Sequence, residues 1–229
     1  MDRKKIKTSR YLAAIAITIL IFMIGYLVSS EIDNLKLSKL SFLEQDLRID
    51  ALGSELYLQL VQGDLCNNVN STLYTEELST YGKRVAYLES IYGFSSQETM
   101  QLKNYYSLLE IRHWIILKNI NLECNQDVPY VLYFYTNYGC TDCEDQGLVL
   151  TNVHTNYPLF NTYSFEFVLN NSATDFLKEK YNITPNKLPA LVIDDQIYYG
   201  FQSKDTLIKV MNLTQRLAID KQKHPELYK

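Results

Sequence analysis

Tyr130-Val131-Leu132-Tyr133-Phe134-Tyr135-Thr136-Asn137-Tyr138-Gly139-Cys140-Thr141-Asp142-Cys143 is the stretch around which the rest of the chain can be ordered. Tyr130 to Thr136 is an aromatic and apolar run of strand length, which predicts a buried strand. A C-x-x-C follows, and the residues from Cys143 to about Asn156 predict a helix. A strand running into a C-x-x-C that opens a helix puts the first cysteine at a helix N-terminus. Free backbone N–H groups and the positive end of the helix dipole favour a thiolate there. The thiolate is the form that attacks disulfides. Cys140 is therefore the candidate nucleophile, and Cys143, one turn further on, the candidate resolving thiol.

Towards the C-terminus the pattern continues in short apolar runs. Ser164 to Leu169 predicts a second strand, and Leu188 to Ile193 leads into a third. Asp194-Asp195 turns that strand into Gln196 to Tyr199, which Gly200 closes. Ser172 or Thr174 would cap a helix running through Tyr181, and Ser203 or Asp205 a final helix to about Ile219. The order is βαβαββα over about 100 residues, a normal size for one domain.

Residues 128–220 resemble the thioredoxin superfamily along their full length. The residues that carry the resemblance are YVLYFYTNYGCTDC, then YNITPNKLPALVID, then the β-turn-β ending in Gly200. The resemblance implies an α/β domain with a four-stranded mixed sheet and flanking helices, and a cis-proline loop facing the C-x-x-C. Pro189 suits that proline because the strand Ala190 to Ile193 follows it directly; Pro185 is the competitor. Leu188 and Pro189 would shape a substrate groove, with backbone groups near Leu188 pairing with an extended segment. The implied activity is thiol-disulfide exchange on protein thiols and disulfides through Cys140 and Cys143, with no cofactor. The whole layout is similar to membrane-tethered thioredoxin-like proteins of archaeal type.

The chain also departs from the family. Gly139 stands where thioredoxins usually carry tryptophan, and Thr141-Asp142 where they carry Gly-Pro. Their preceding strand holds a buried carboxylate, and Leu132 to Tyr135 has no acid. Asp142, Glu144 and Asp145 crowd the helix start instead. Acids there suit the helix dipole, but a nearby negative charge raises a thiol pKa. A second reading therefore stays open, in which the fold serves as a binding or scaffold module and Cys140–Cys143 is an inert disulfide.

Upstream, Arg3, Lys4, Lys5, Lys7 and Arg10 precede an uncharged run from Tyr11 to Ser30. As a helix this run would span about 30 Å, the thickness of a hydrocarbon core. It predicts a single transmembrane signal anchor over 11–30 in a cell membrane, with residues 1–10 cytoplasmic and the remainder extracytoplasmic. A cleaved signal peptide is the alternative. It would have a shorter apolar region and a small-x-small site, of which Leu27 to Ser30 is a poor version.

Residues 31–127 predict an all-α region, a helical hairpin or bundle. Leu40, Leu43 and Leu47, then Leu52, Leu56 and Leu60, mark one stripe, interrupted at Gly53. A second helix runs from about Leu73 to Tyr92 with Gly93 as its C-cap. Ser95 and Glu98 read as a capping box opening a third, through Met100 and Trp114 to about Asn121. The expectation is three helices packed on one another, with a coiled-coil homodimer as an alternative. An up-down-up order puts Cys66 and Cys124 at the same end, where they would form a structural disulfide in an oxidising compartment. Relay of disulfides with Cys140 and Cys143, or unpaired thiols, are the alternatives.

The net charge of −4, with the basic residues gathered ahead of the apolar run, argues against a nucleic-acid partner. No metal site is expected, because one C-x-x-C supplies two of the four ligands of a structural zinc. His113 and His154 read as surface or boundary residues, and His224 lies near the C-terminus. Sequons at Asn70, Asn170, Asn182 and Asn212 fit an extracytoplasmic chain, though a sequence rich in Asn, Ser and Thr also generates them by chance.

Overall fold

In the computed structural model, residues 11–27, 29, 52–53, 66 and 71–223 are described. The chain divides into two units, residues 1–56 and 57–229. In the second the elements run α1 (Ser71–Tyr92), α2 (Gln97–Glu123), β1 (Tyr130–Tyr135), α3 (Thr141–Asn156), β2 (Asn161–Glu166), α4 (Ser172–Lys180), a 3₁₀ turn (Pro185–Lys187), β3 (Ala190–Ile193), β4 (Gln196–Tyr199), α5 (Lys204–Val210) and α6 (Leu213–Lys223).

The four strands form one mixed sheet in the order β2-β1-β3-β4. β2 runs parallel to β1, with Tyr130 opposite Asn161 and Tyr135 opposite Glu166. A parallel neighbour requires a long crossover, which α3 supplies. β3 pairs antiparallel with β1, and β4 antiparallel with β3. Asp194 and Asp195 make the two-residue connection between β3 and β4, both at positive φ (49° and 60°). That is the turn hand which matches strand twist, and Asp tolerates it better than most residues.

Side chains alternate along a strand, so the sheet buries two faces. Leu132, Phe134, Ala190 and Val192 meet Ile111, Trp114 and Leu117 of α2, with Leu177 of α4 and the following Tyr181 and Ile183. Val131, Tyr133, Leu191 and Ile193 meet Leu150 and Val153 of α3, with Leu207, Met211 and Leu213 from the C-terminal helices. The result is three layers. α2 packs on α1 but also closes one face of the sheet, so the sheet's core extends upstream of the expected boundary at 127/128.

Several element limits differ from those expected. β2 begins at Asn161 and ends at Glu166, because the Leu169 N–H turns back to the Glu166 carbonyl at 3.0 Å. α2 is capped by Ser96, whose Oγ accepts from the Thr99 N–H at 3.1 Å, rather than by Ser95. α4 is capped by Asn171, whose Oδ1 accepts from the Thr174 N–H at 2.9 Å. The single final helix is two, α5 and α6, broken where Asn212 takes a left-handed φ of 49°.

The transmembrane helix expected over 11–30 requires correction. Residues 11–27 are helical. Among the described residues no helix is long and apolar enough to cross a membrane. The leucine stripe of residues 40–47 and 56–60, and with it the coiled-coil alternative, lies outside the described residues, as do Asn70 and His224.

Candidate active site

β1 ends at Tyr135, and residues 136–139 carry the chain out of the sheet to Cys140. Gly139 sits at φ 62°, and a Cβ there would meet nothing within 4 Å. The backbone conformation, not crowding, is what calls for glycine. Cys140 is the N-cap of α3: its Sγ accepts from the Cys143 N–H at 3.2 Å. Its carbonyl accepts from the N–H groups of Cys143 (3.1 Å) and Glu144 (3.3 Å). Cys140 and Cys143 are joined as a disulfide, with S–S 2.00 Å. The pair is asymmetric, since Cys140 is half-buried and Cys143 only 2% exposed. Asp142, Glu144 and Asp145 are exposed on the first turn around them.

Cys66 and Cys124 form the second disulfide, with Cys124 as the C-cap of α2. Each of the four cysteines is thus paired within its own couple, and none bridges the two couples.

Ala190 pairs with Phe134, so the strand register brings Pro189 to the end of β1 from which the Cys140 loop departs. The Leu188–Pro189 peptide is cis. Pro185 instead opens the 3₁₀ turn. Leu188 packs partly into the α2-side core. The Pro189 carbonyl accepts from the Gly200 N–H at 2.8 Å, and the loop that follows is held to α3: the Gln202 N–H donates to Gln146 Oε1 at 2.7 Å.

Polar groups with no signal in the sequence lie along the C-terminal ends of β1 and β2. Tyr133 Oη donates to the Cys143 carbonyl at 2.5 Å, and burial raises its phenol pKa. The Tyr135 ring stacks on Tyr133 at 5.2 Å between centroids. Opposite Tyr135 in the register is Glu166, buried at the end of β2. Lys103 of α2, itself buried, donates to Glu166 Oε2 at 2.5 Å and pairs with Glu89 of α1. The strand before the C-x-x-C lacks an acid, but its neighbour supplies one.

A second buried group lies further along α2. Glu110 Oε1 accepts from the Ser164 N–H of the edge strand at 2.9 Å, and burial holds its carboxyl well above the ordinary range. His113 Nδ1 is 2.7 Å from Tyr163 Oη, and burial pushes its pKa down to about 4. His113 is therefore a core residue, not a surface or boundary one. His154 bonds the Phe160 carbonyl through Nδ1 at 2.6 Å. Among the described residues no group of three or more His, Cys, Asp or Glu could hold a metal ion. The one sequence signal of these groups was the spacing of Lys103, Glu110 and His113 on a helix otherwise read for its apolar stripe.

No protein-family model and no curated protein matches the chain.

Proposed function

We propose that the chain is a thiol-disulfide oxidoreductase of the thioredoxin superfamily, exchanging disulfides with protein substrates through Cys140 and Cys143. The observation that carries this reading is the asymmetric cysteine pair at a helix N-cap, Cys140 half-buried and Cys143 buried. The mixed sheet, with the pair after β1 and Leu188–Pro189 leading into β3, supports it. Two disulfides in one chain support an oxidising compartment.

In the oxidised form a substrate thiolate attacks Cys140 Sγ, and the Cys140–Cys143 bond breaks. A mixed disulfide forms and Cys143 leaves as the thiolate. A second substrate thiolate then attacks the substrate sulfur of the mixed disulfide and releases Cys140. The substrate dithiol is oxidised by two electrons, and the Cys140–Cys143 pair is reduced by two. The reverse sequence reduces a substrate disulfide. Leu188 and Pro189 line the groove along which the substrate segment lies. At Cys140, the Cys143 N–H and the helix N-terminus stabilise the thiolate.

The three exposed acids around Cys140 favour a second reading, an inert disulfide on a binding module. Full-length chain should exchange with a model protein disulfide, and Cys140→Ser should abolish that exchange. Equal rates for the two chains would refute the oxidoreductase reading. A reduction potential below about −300 mV, with no exchange against reduced glutathione, would establish the inert one.

A further inference from the structure

Gln146 lies on α3 just beyond Cys143, and neither the core nor the sulfur chemistry accounts for it. It is 0% exposed, although its side chain is a polar amide. Its Nε2 is buried with no hydrogen-bond partner among the described residues. An unpaired buried donor is destabilising, so an apolar residue would serve the core better at this position. Among the described residues the one side-chain bond Gln146 makes is through Oε1, which accepts from the Gln202 N–H at 2.7 Å. That bond ties the helix bearing the cysteines to the loop after β4. Gln202 Nε2 stiffens the loop from within, donating to the carbonyls of Tyr199 (3.2 Å) and Gly200 (3.3 Å). The Gly200 N–H in turn holds the Pro189 carbonyl at 2.8 Å. Helix, loop and Pro189 are thus linked in series. Phe201, between the two anchored residues, is 44% exposed.

We propose that Gln146 is a positioning residue, which fixes the Gly200–Gln202 loop and the Pro189 segment relative to the Cys140–Cys143 helix so that a polypeptide substrate is seated with its sulfur at Cys140. The inference rests on the oxidoreductase reading above. Gln146 acts through the loop and not on sulfur. Substrates long enough to reach the loop depend on it, and small disulfides do not.

The test uses the full chain and two substrates, a model protein disulfide and 2-hydroxyethyl disulfide. Gln146→Met keeps the volume and removes the acceptor. It should raise KM for the protein about tenfold, the equivalent of one net hydrogen bond. Its kcat, its rate with the small disulfide and its reduction potential should stay within about twofold of wild type or unchanged. Gln146→Glu, which keeps an acceptor oxygen for Gln202, should restore KM. An unchanged KM, an equal loss with both substrates, or a shifted potential overturns the proposal. If the wild-type chain exchanges with neither substrate, the oxidoreductase reading fails and this inference with it. Should Gln146→Met not fold, hydrogen exchange on the wild type decides: a protected Gln202 amide supports the clamp, and exchange at the rate of an open loop overturns it.

Discussion

Glu110→Gln should change how stability depends on pH while leaving the fold intact. Glu110 is enclosed between α2 and the edge strand β2, with one carboxyl oxygen accepting from the Ser164 N–H at 2.9 Å. The other is buried with no partner among the described residues. Burial raises its pKa well above the ordinary 4.5, and the Ser164 hydrogen bond opposes this only in part. In the unfolded chain the carboxyl ionises near 4.5. Above that value the folded protein retains a proton that the unfolded chain has released, so stability falls as pH rises. The slope is about 1.4 kcal/mol per pH unit, and it continues until the buried group ionises. Below the unfolded value both states are protonated, and the contribution is fully present. Gln keeps an acceptor for Ser164 and never ionises, so the variant loses this slope. The two chains should agree within about 1 kcal/mol at pH 4, a single hydrogen bond's worth. The variant should then gain steadily on the wild type as pH rises. Urea melts between pH 4 and 8 can follow Trp114, the single tryptophan, which is buried on the same helix. Parallel stability curves for the two chains would refute the reasoning.

Two further outcomes test the arrangement around the site. Replacing Cys66 and Cys124 together by serine opens a loop with a sequence separation of 58, which should cost about 4 kcal/mol in the chain-entropy picture. Urea melts measure that cost, and exchange activity should persist; its loss would contradict separate roles for the two disulfides. Lys103→Met leaves Glu89 and Glu166 without their shared cation, which should cost about 3–5 kcal/mol. Adding Glu166→Gln should recover most of it, and a double variant no more stable than the single one would show that the charge is not what Lys103 serves.

β1 was legible because its run of aromatic and apolar residues is too short for a helix and ends in turn-forming residues. The exact caps were not, because cap-capable side chains stand side by side. Ser95-Ser96 and Asn171-Ser172-Ala173-Thr174 each offer more than one oxygen, and the backbone path selects Ser96 and Asn171. β2 was misread by three residues because Phe165, Phe167 and Leu169 alternate as a strand would, yet the chain turns after Glu166. α2 was legible as a helix but not by its partner. Ile111, Trp114 and Leu117 are buried while Leu108, Ile115 and Leu122 are exposed, and a periodic pattern does not say whether a helix or a sheet covers the buried stripe. Cys140 and Cys143 could be read from spacing alone. Glu166, Gln146 and Tyr133 could not, since each matters through a contact distant in sequence or made by backbone.

The acids at the head of α3 can now be weighed against the groups that oppose them. In the reduced protein a Cys140 thiolate would take a charge-assisted hydrogen bond from the Cys143 N–H, the donor its sulfur already faces at 3.2 Å. Such a bond contributes about 1.5–3 kcal/mol. An exposed carboxylate about 4 Å away in water repels a thiolate by about 1 kcal/mol, and less once salt screens it. Asp142, Glu144 and Asp145 all project into solvent, so water and salt keep each of them below the local bond. The buried carboxylate at the end of β2, Glu166, is paired with Lys103, a cation it shares with Glu89. In the reduced protein a Cys140 thiolate would therefore be held by the helix terminus and moderated by the surface acids. Ionic strength separates the two, since it weakens the acids and leaves the N–H bond in place.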